Sequence, residues 1–219
     1  MNNSVTIHKY FIGIICALGV VMPDSMLLAG ISYRTIALSG QPAPGTDPGE
    51  VFDKFGFPLI DAQGRIAIFA SVAGDDVSGT NDFAIWSQTP GALTLVAREG
   101  SPAPGMGTGV VFENLAGSGS PVFSTSGHIA FQATLTGGDV TEDNDLSLWS
   151  DRSGSLALIA HEGDVAPGAD ATFSGFGFPL INASGEVAFI AGLRGPTVDS
   201  DTNSSTWVES NGALRLVAP

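Results

Sequence analysis

Three short stretches of the chain concentrate the side chains best suited to holding a metal ion. Asp75, Asp76, Asn81 and Asp82 form the first, Asp139, Glu142, Asp143, Asn144 and Asp145 the second, and Asp199, Asp201 and Asn203 the third. Hard oxygen donors at alternate positions suit Ca²⁺. Asp199-x-Asp201-x-Asn203 copies the opening of a helix-loop-helix calcium site. Ser204 then stands where the turn glycine belongs, and Ser210 where the closing bidentate glutamate belongs. Two readings stay open. Asp139, Asp143, Asp145, Asp199, Asp201 and Asn203 are candidate Ca²⁺ ligands, or these stretches are solvated loop tips that lend solubility.

Other chemistries find less support. Paired carboxylates such as Asp143 and Asp201 could serve glycoside hydrolysis, which needs two acids about 5–10 Å apart. A two-histidine metal site would have to use His128 and His161, which stand at non-equivalent positions of the repeat described below. Ser126 near His128 is no nucleophile elbow, because Gly-x-Ser-x-Gly does not occur. The glycines around 105–109 and 117–119 lack the lysine of a phosphate loop and have acidic surroundings. The single cysteine, Cys16, lies in an apolar stretch, so thiol catalysis and zinc-thiolate sites are excluded from the rest of the chain.

Composition narrows the classes further. Acids outnumber bases 22 to 8, for a formal net charge of -14, which repels nucleic-acid phosphates and anionic lipid. Hydrophobic residues at 43% can build a core, which argues against disorder. Only 14% of residues are charged, while glycine numbers 29, a balance that suits short strands and tight turns better than solvated helices.

The elements that position these loops repeat three times. Ser39-Gly40-Gln41-Pro42-Ala43-Pro44-Gly45 recurs as Glu99-Gly100-Ser101-Pro102-Ala103-Pro104-Gly105, and as Glu162-Gly163-Asp164-Val165-Ala166-Pro167-Gly168. Phe57-Pro58-Leu59-Ile60 recurs as Phe178-Pro179-Leu180-Ile181, with Ser120-Pro121-Val122-Phe123 between them. Trp86, Trp149 and Trp207 are 63 and 58 residues apart, the same intervals that separate Gly64, Gly127 and Gly185. Each unit reads as four short antiparallel strands: Phe52 to Ile60, Ile66 to Val72, a strand ending at Trp86, and Leu93 to Ala97 in the first copy. The second strand is apolar on both faces and is expected to be covered on both. The tryptophans, and Phe52, Phe112 and Phe173, are expected in the core or between units rather than as a sugar-stacking platform. Tyr33 to Leu38 reads as one more fourth strand, without the three that should precede it.

The fold class is therefore all-β, with tandem four-stranded antiparallel units of about 60 residues that resemble propeller blades. Units fall at 34–92, 93–155 and 156–213, with a terminal strand at 214–219. Three blades are fewer than the four to eight typical of a closed ring, so the array is expected to be part of something longer or to self-associate. Ahead of it, Lys9 and the uncharged run from Tyr10 to Met22, followed by small residues to Ala29, have the layout of a secretory signal or an N-terminal anchor.

Asn182-Ala183-Ser184-Gly185-Glu186-Val187-Ala188-Phe189 carries an Asn-x-x-Gly-x-x-Ala-Phe motif. Ser124 to Phe131 departs at the first position, and Asp61 to Ile68 at the first and last. The motif recurs in phase with the other landmarks, and over residues 33–219 the chain resembles the choice-of-anchor tandem-repeat proteins named for it. That resemblance implies a bacterial exported or surface protein with a repeat β fold and no assigned activity. In those proteins a C-terminal anchor is expected, and this sequence shows none. Physically, Asn or Asp opens the turn by bonding its own backbone, glycine supplies the positive φ, and Ala and Phe enter the strand. The functional expectation is an exported, non-enzymatic protein with a structural, adhesive or ligand-binding role, its partner a polysaccharide or a cell-surface protein. The rival is a propeller-type carbohydrate-active enzyme using the loop carboxylates.

Overall fold

A computed structural model describes residues 33–89, 91–115 and 121–218. The expected signal or anchor at 1–29, including Cys16, lies outside the described residues. Within the described residues every regular element is a strand, as the turn-rich sequence requires. The first sheet holds β1 (Val51–Phe55), β2 (Leu59–Ile60), β3 (Ile66–Ala73), β4 (Phe83–Thr89) and β5 (Ala92–Arg98). The second holds β6 (Val111–Asn114), β7 (Val122–Phe123), β8 (Ile129–Thr136), β9 (Leu146–Ser150) and β10 (Ala157–His161). The third holds β11 (Thr172–Phe176), β12 (Leu180–Ile181), β13 (Val187–Arg194), β14 (Ser204–Ser210) and β15 (Ala213–Ala218). All pairings are antiparallel, and the order in each sheet is that of a four-stranded meander. The fold is thus all-β, tandem and propeller-like, with its sheets offset from the units marked off by the repeat.

The expected first strand is split. Both β1 and β2 pair with β3, and the register slips between Phe52 and Phe55. The reason lies in Gly56, where a side chain would come within 3.2 Å of the Phe69 carbonyl that accepts the Gly56 N–H. Pro58 then withholds a ladder donor. The same interruption recurs between β11 and β12 at Phe176-Gly177-Phe178-Pro179.

The hydrophobic core lies between sheets rather than within one. Each sheet has a front face carrying its Trp and the Phe of its first strand, and a back face lined mostly with Ala and aliphatic residues, to which the first sheet adds Phe69 and Phe83. Phe112, Phe131 and Trp149, on the front of the second sheet, share a cluster with Ala67, Ile85 and Ala97 on the back of the first. Phe173, Phe189 and Trp207 share one with Ala130, Leu148 and Ala160 in the same way. All three tryptophans are fully buried, as their place in the repeat led us to expect. Each meets the phenylalanine of its own first strand edge to face: Trp86 with Phe52 at 4.9 Å, Trp149 with Phe112 at 5.0 Å and Trp207 with Phe173 at 5.2 Å. That is the favoured geometry for opposed ring quadrupoles.

A buried indole N–H needs an acceptor, and the units meet the need differently. Trp149 Nε1 donates to Ser147 Oγ and Trp207 Nε1 to Ser205 Oγ, both at 2.8 Å. The first unit has Ala84 at the corresponding position. There Trp86 Nε1 donates instead to the Pro44 carbonyl at 2.9 Å, which pins the proline turn over the front of the first sheet.

One strand expected from sequence is absent. Residues 33–38 form no strand, because a fourth strand pairs only with the third strand of its own unit, and no such strand lies beside them among the described residues. Ala37 nevertheless packs on the first sheet's front cluster, in the role that Ala97 and Ala160 play for the next two sheets. The expectation of double coverage holds for β3 and β8, which are buried along most of their length. It fails on the back of β13, where Ile190 is exposed.

Ser147→Ala should cost about 1–3 kcal/mol, because it leaves the Trp149 N–H buried without an acceptor. Urea unfolding of the variant checks this. Ala84→Ser, at the equivalent site whose indole is already satisfied, should change stability by much less.

Candidate functional site

The Asn-x-x-Gly turns are structural in all three copies. Asp61 Oδ1 accepts the N–H groups of Gln63 and Arg65 at 2.9 and 2.8 Å, and Asn182 Oδ1 those of Ser184 and Glu186 at 2.9 and 3.0 Å. Ser124 Oγ does half of this, accepting the His128 N–H at 3.0 Å. Gly64, Gly127 and Gly185 take φ of 76°, 89° and 80°. No side chain of the motif is left over for chemistry.

The acidic loops join the second and third strands of each sheet, and their oxygens serve largely to shape the loops themselves. In the second loop Asn144 Oδ1 accepts the Thr141 N–H at 2.6 Å. In the first, Asn81 Oδ1 accepts the Ser78 N–H at 2.6 Å. The third loop makes the same closure, the Asp199 N–H donating to Thr202 Oγ1 at 3.0 Å. Thr202 stands where Asn belongs, and Asp199 Oδ1 accepts from the Thr202 N–H and hydroxyl at 3.1 and 2.9 Å and from the Asp201 N–H at 3.0 Å. The Thr202 hydroxyl and these N–H groups outweigh burial and hold the Asp199 carboxyl below its usual range.

The remaining candidate ligands are spread out. Asp139 and Asp201 are exposed. Asp143 faces a cation, with its carboxylate 3.8 Å from the Arg194 guanidinium. The Asp145 and Asn203 carbonyls accept the N–H groups of Leu135 and Leu193 at 2.8 and 2.9 Å, continuing the ladder past the strand ends. Burial raises the Asp145 carboxyl above its usual range. Among the described residues no group of three or more His, Cys, Asp or Glu is placed to hold a metal ion. The two histidines are also separate. His161 pairs with Ser147, which pairs with Ala133, five residues along from His128. At about 3.3 Å per residue that puts them about 17 Å apart along the strands, too far for one ion.

Two buried features separate the first unit from the second. Arg98 and Glu50 form a bidentate ion pair, with Nη1 to Oε2 at 2.7 Å and Nη2 to Oε1 at 2.8 Å. Burial pushes Glu50 up, but the Arg98 hydrogen bonds and charge outweigh it, and the carboxyl lies below its usual range. The second unit has Val110 and His161 at these positions. A cavity of about 210 Å³ opens there, lined by His161, Asn144 and Asp139, and the buried His161 Nε2 has no hydrogen-bond partner.

A larger cleft, of about 470 Å³, lies between the β9–β10 and β14–β15 hairpins. Its floor is apolar, from Ala157, Leu158, Ile159 and Leu214, and its rim is polar, from Ser150, Arg152, Ser153, Glu209 and Asn211. Arg152 organises the rim. Its Nε donates to the Ser184 carbonyl at 3.1 Å, its Nη2 to Asn211 Oδ1 at 3.3 Å, and its Nη1 lies 3.6 Å from Glu209 Oε1. Asn211 has a φ of 55°, the only positive φ outside glycine among the described residues. Asn tolerates that turn conformation and brings its amide to the rim. An apolar floor with a few convergent polar groups is the usual form of a small-molecule site. Sequence reading passed over this cleft. Its signals were Asn211-Gly212 in a hairpin and Arg152, one of only eight cations, close to the equivalent turn of the preceding unit.

Because no three acids converge and Asn81, Asn144 and Asp199 close their own loops, Ca²⁺ and an ionic-strength-matched Na⁺ control should raise the melting temperature equally. A Ca²⁺-specific excess, abolished by Asp143→Asn with Asp145→Asn, would instead make these loops ion cages.

No curated protein and no solved structure matches the chain. A family profile does, twice, over residues 25–120 and 106–219. The two matches together cover the whole repeat array and overlap within the second unit. The chain therefore belongs to the family of unknown function DUF7453.

Proposed function

We propose that this is an exported, non-enzymatic repeat protein that binds a polysaccharide or a glycosylated surface protein, and that the cleft between its second and third sheets seats the ligand. The observation that carries this reading is the cleft's composition. A sugar ring offers C–H faces to a floor such as Leu158, Ile159 and Leu214, and hydroxyls to a rim such as Arg152 and Asn211. Hydrolysis would need two carboxylates free to exchange protons. The one carboxylate on this rim, Glu209, is engaged by Arg152 and by the Gly212 N–H, which donates to it at 2.8 Å. Asp143 and Asp201, the acids of the enzymatic alternative, stand on the exposed loops of two different sheets. Export is supported by the sequence from Lys9 to Ala29 and by the resemblance to anchored repeat proteins.

A polysaccharide and glycan binding screen tests the proposal. Retention of a glycan by the native chain should fall about tenfold or more in Arg152→Ala and in Asn211→Gly, the latter keeping the turn while removing the amide. Polysaccharide hydrolysis lost in Asp143→Asn would overturn it in favour of an enzyme.

A further inference from the structure

We propose that the back of the third sheet is an interface for a second copy of this chain, whose first sheet docks on it as the second sheet docks on the first and the third on the second. The molecule contains this contact twice already. In each case a back-face residue of the short second strand meets a front-face residue of the next sheet: Leu59 lies with Phe123 in one cluster, and Val122 with Ile181 in the other.

The hexapeptide Phe-Gly-Phe-Pro-Leu-Ile occurs twice, at 55–60 and 176–181, and shows what is missing. In the first sheet Leu59 is covered and Ile60 is 71% exposed; in the third, Ile181 is covered and Leu180 is 69% exposed. Phe57 and Phe178 are exposed in both copies, but of the closing Leu-Ile pair the residue left open lies at the front of the first sheet and at the back of the third. The rest of that back face agrees. Ile190 and Val217 are 57% and 51% exposed, whereas their equivalents, Phe69 and Val96 in the first sheet and Ile159 in the second, pack against the following sheet. Isolated apolar residues on a surface need no explanation, but a sheet face carrying the composition of a buried one does.

The receiving surface on the second copy is the front of its first sheet. Thr35 to Leu38 cover part of it with Ala37, at the place that Ala97 and Ala160 occupy in the internal contacts. These residues form no strand ladder, so an arriving third sheet would put Ala218 where Ala37 lies and bring a complete ladder with it. Reciprocal docking of two chains sets six sheets in succession. Six falls within the range of about four to eight at which such sheets close into a ring, leaving no apolar face open.

The test uses full-length chains bearing Cys16→Ser, with Ile60→Cys in one and Leu180→Cys in a differently tagged other. They are co-expressed and treated with a short bismaleimide. The interface requires a cross-linked species carrying both tags, and at least a tenfold loss of it when Ile190→Glu is added to the Leu180→Cys chain. Since Ile190 is exposed within one copy, that variant should keep its parent's far-ultraviolet circular dichroism spectrum, which shows that the chain still folds. Cross-linking of Leu180→Cys chains to one another would mean that two third sheets meet face to face, and would overturn the pairing. No product, under conditions where Val122→Cys and Ile181→Cys in one chain react, would overturn the interface itself.

Discussion

Each tryptophan is buried by a neighbouring part of the chain rather than by its own sheet alone. Trp149 sits against Ala67, Ile85 and Ala97, and Trp207 against Ala130, Leu148 and Ala160. An aromatic side chain of this size removes about 150–250 Å² from water, worth about 4–6 kcal/mol as an upper bound at about 25 cal/mol/Å². That gain is available only because the facing positions are small enough to let a large ring approach. A four-stranded meander alone has two faces and nothing between them. The front rings, set against the Ala and aliphatic residues of the preceding sheet's back, make one core out of each pair of sheets. That packing also explains why the repeat retains alanine at the end of the fourth strand, in Ala97, Ala160 and Ala218.

Polar contacts refine this layering more than they create it. With so few cations, three of the six described arginines span neighbouring units. Arg65 donates to the Thr125 carbonyl at 3.2 Å, Arg152 to the Ser184 carbonyl, and Arg194 to the Asp143 carbonyl. Each guanidinium reaches a loop or turn of an adjacent unit and satisfies a carbonyl there. Arg98 differs, closing on Glu50 within its own unit. A chain of net charge -14 has few cations to spare for decoration, and these contacts are where it places them. The carboxylates outnumber them, and those at the loop tips, such as Asp139, Asp143 and Asp201, face water and lend solubility.

Much of this architecture is legible in the sequence, because a repeat reports three times on the same structural demand. Glycines and tryptophans at matching intervals mark the turns and the core, and apolar runs such as Ile66 to Val72 mark strands buried on both faces. What escaped is what differs between copies. Asp199-x-Asp201-x-Asn203 looks like a ligand pattern in one dimension; in space Asp199 and Thr202 close the turn that Thr141 and Asn144 close in the second unit. Residues 33–38 have strand composition, but a strand is a pairing, and composition does not supply the partner. The split at Gly56 depends on the approach of the Phe69 carbonyl, and the Arg152 cleft on two hairpins of different units. Neither distance is written in local pattern.

The central claim is that the cores belong to interfaces, so that damage to one sheet must loosen its neighbour. Hydrogen exchange of the backbone amides tests it most directly. Replacing Trp207 with Ala, wholly within the third sheet, should lower protection in β8 and β9 of the second sheet, around Ala130 and Leu148, as well as in β13 and β14. Unchanged protection in β8 and β9, with loss confined to the third sheet, would show that each sheet is stabilised on its own and would contradict the account.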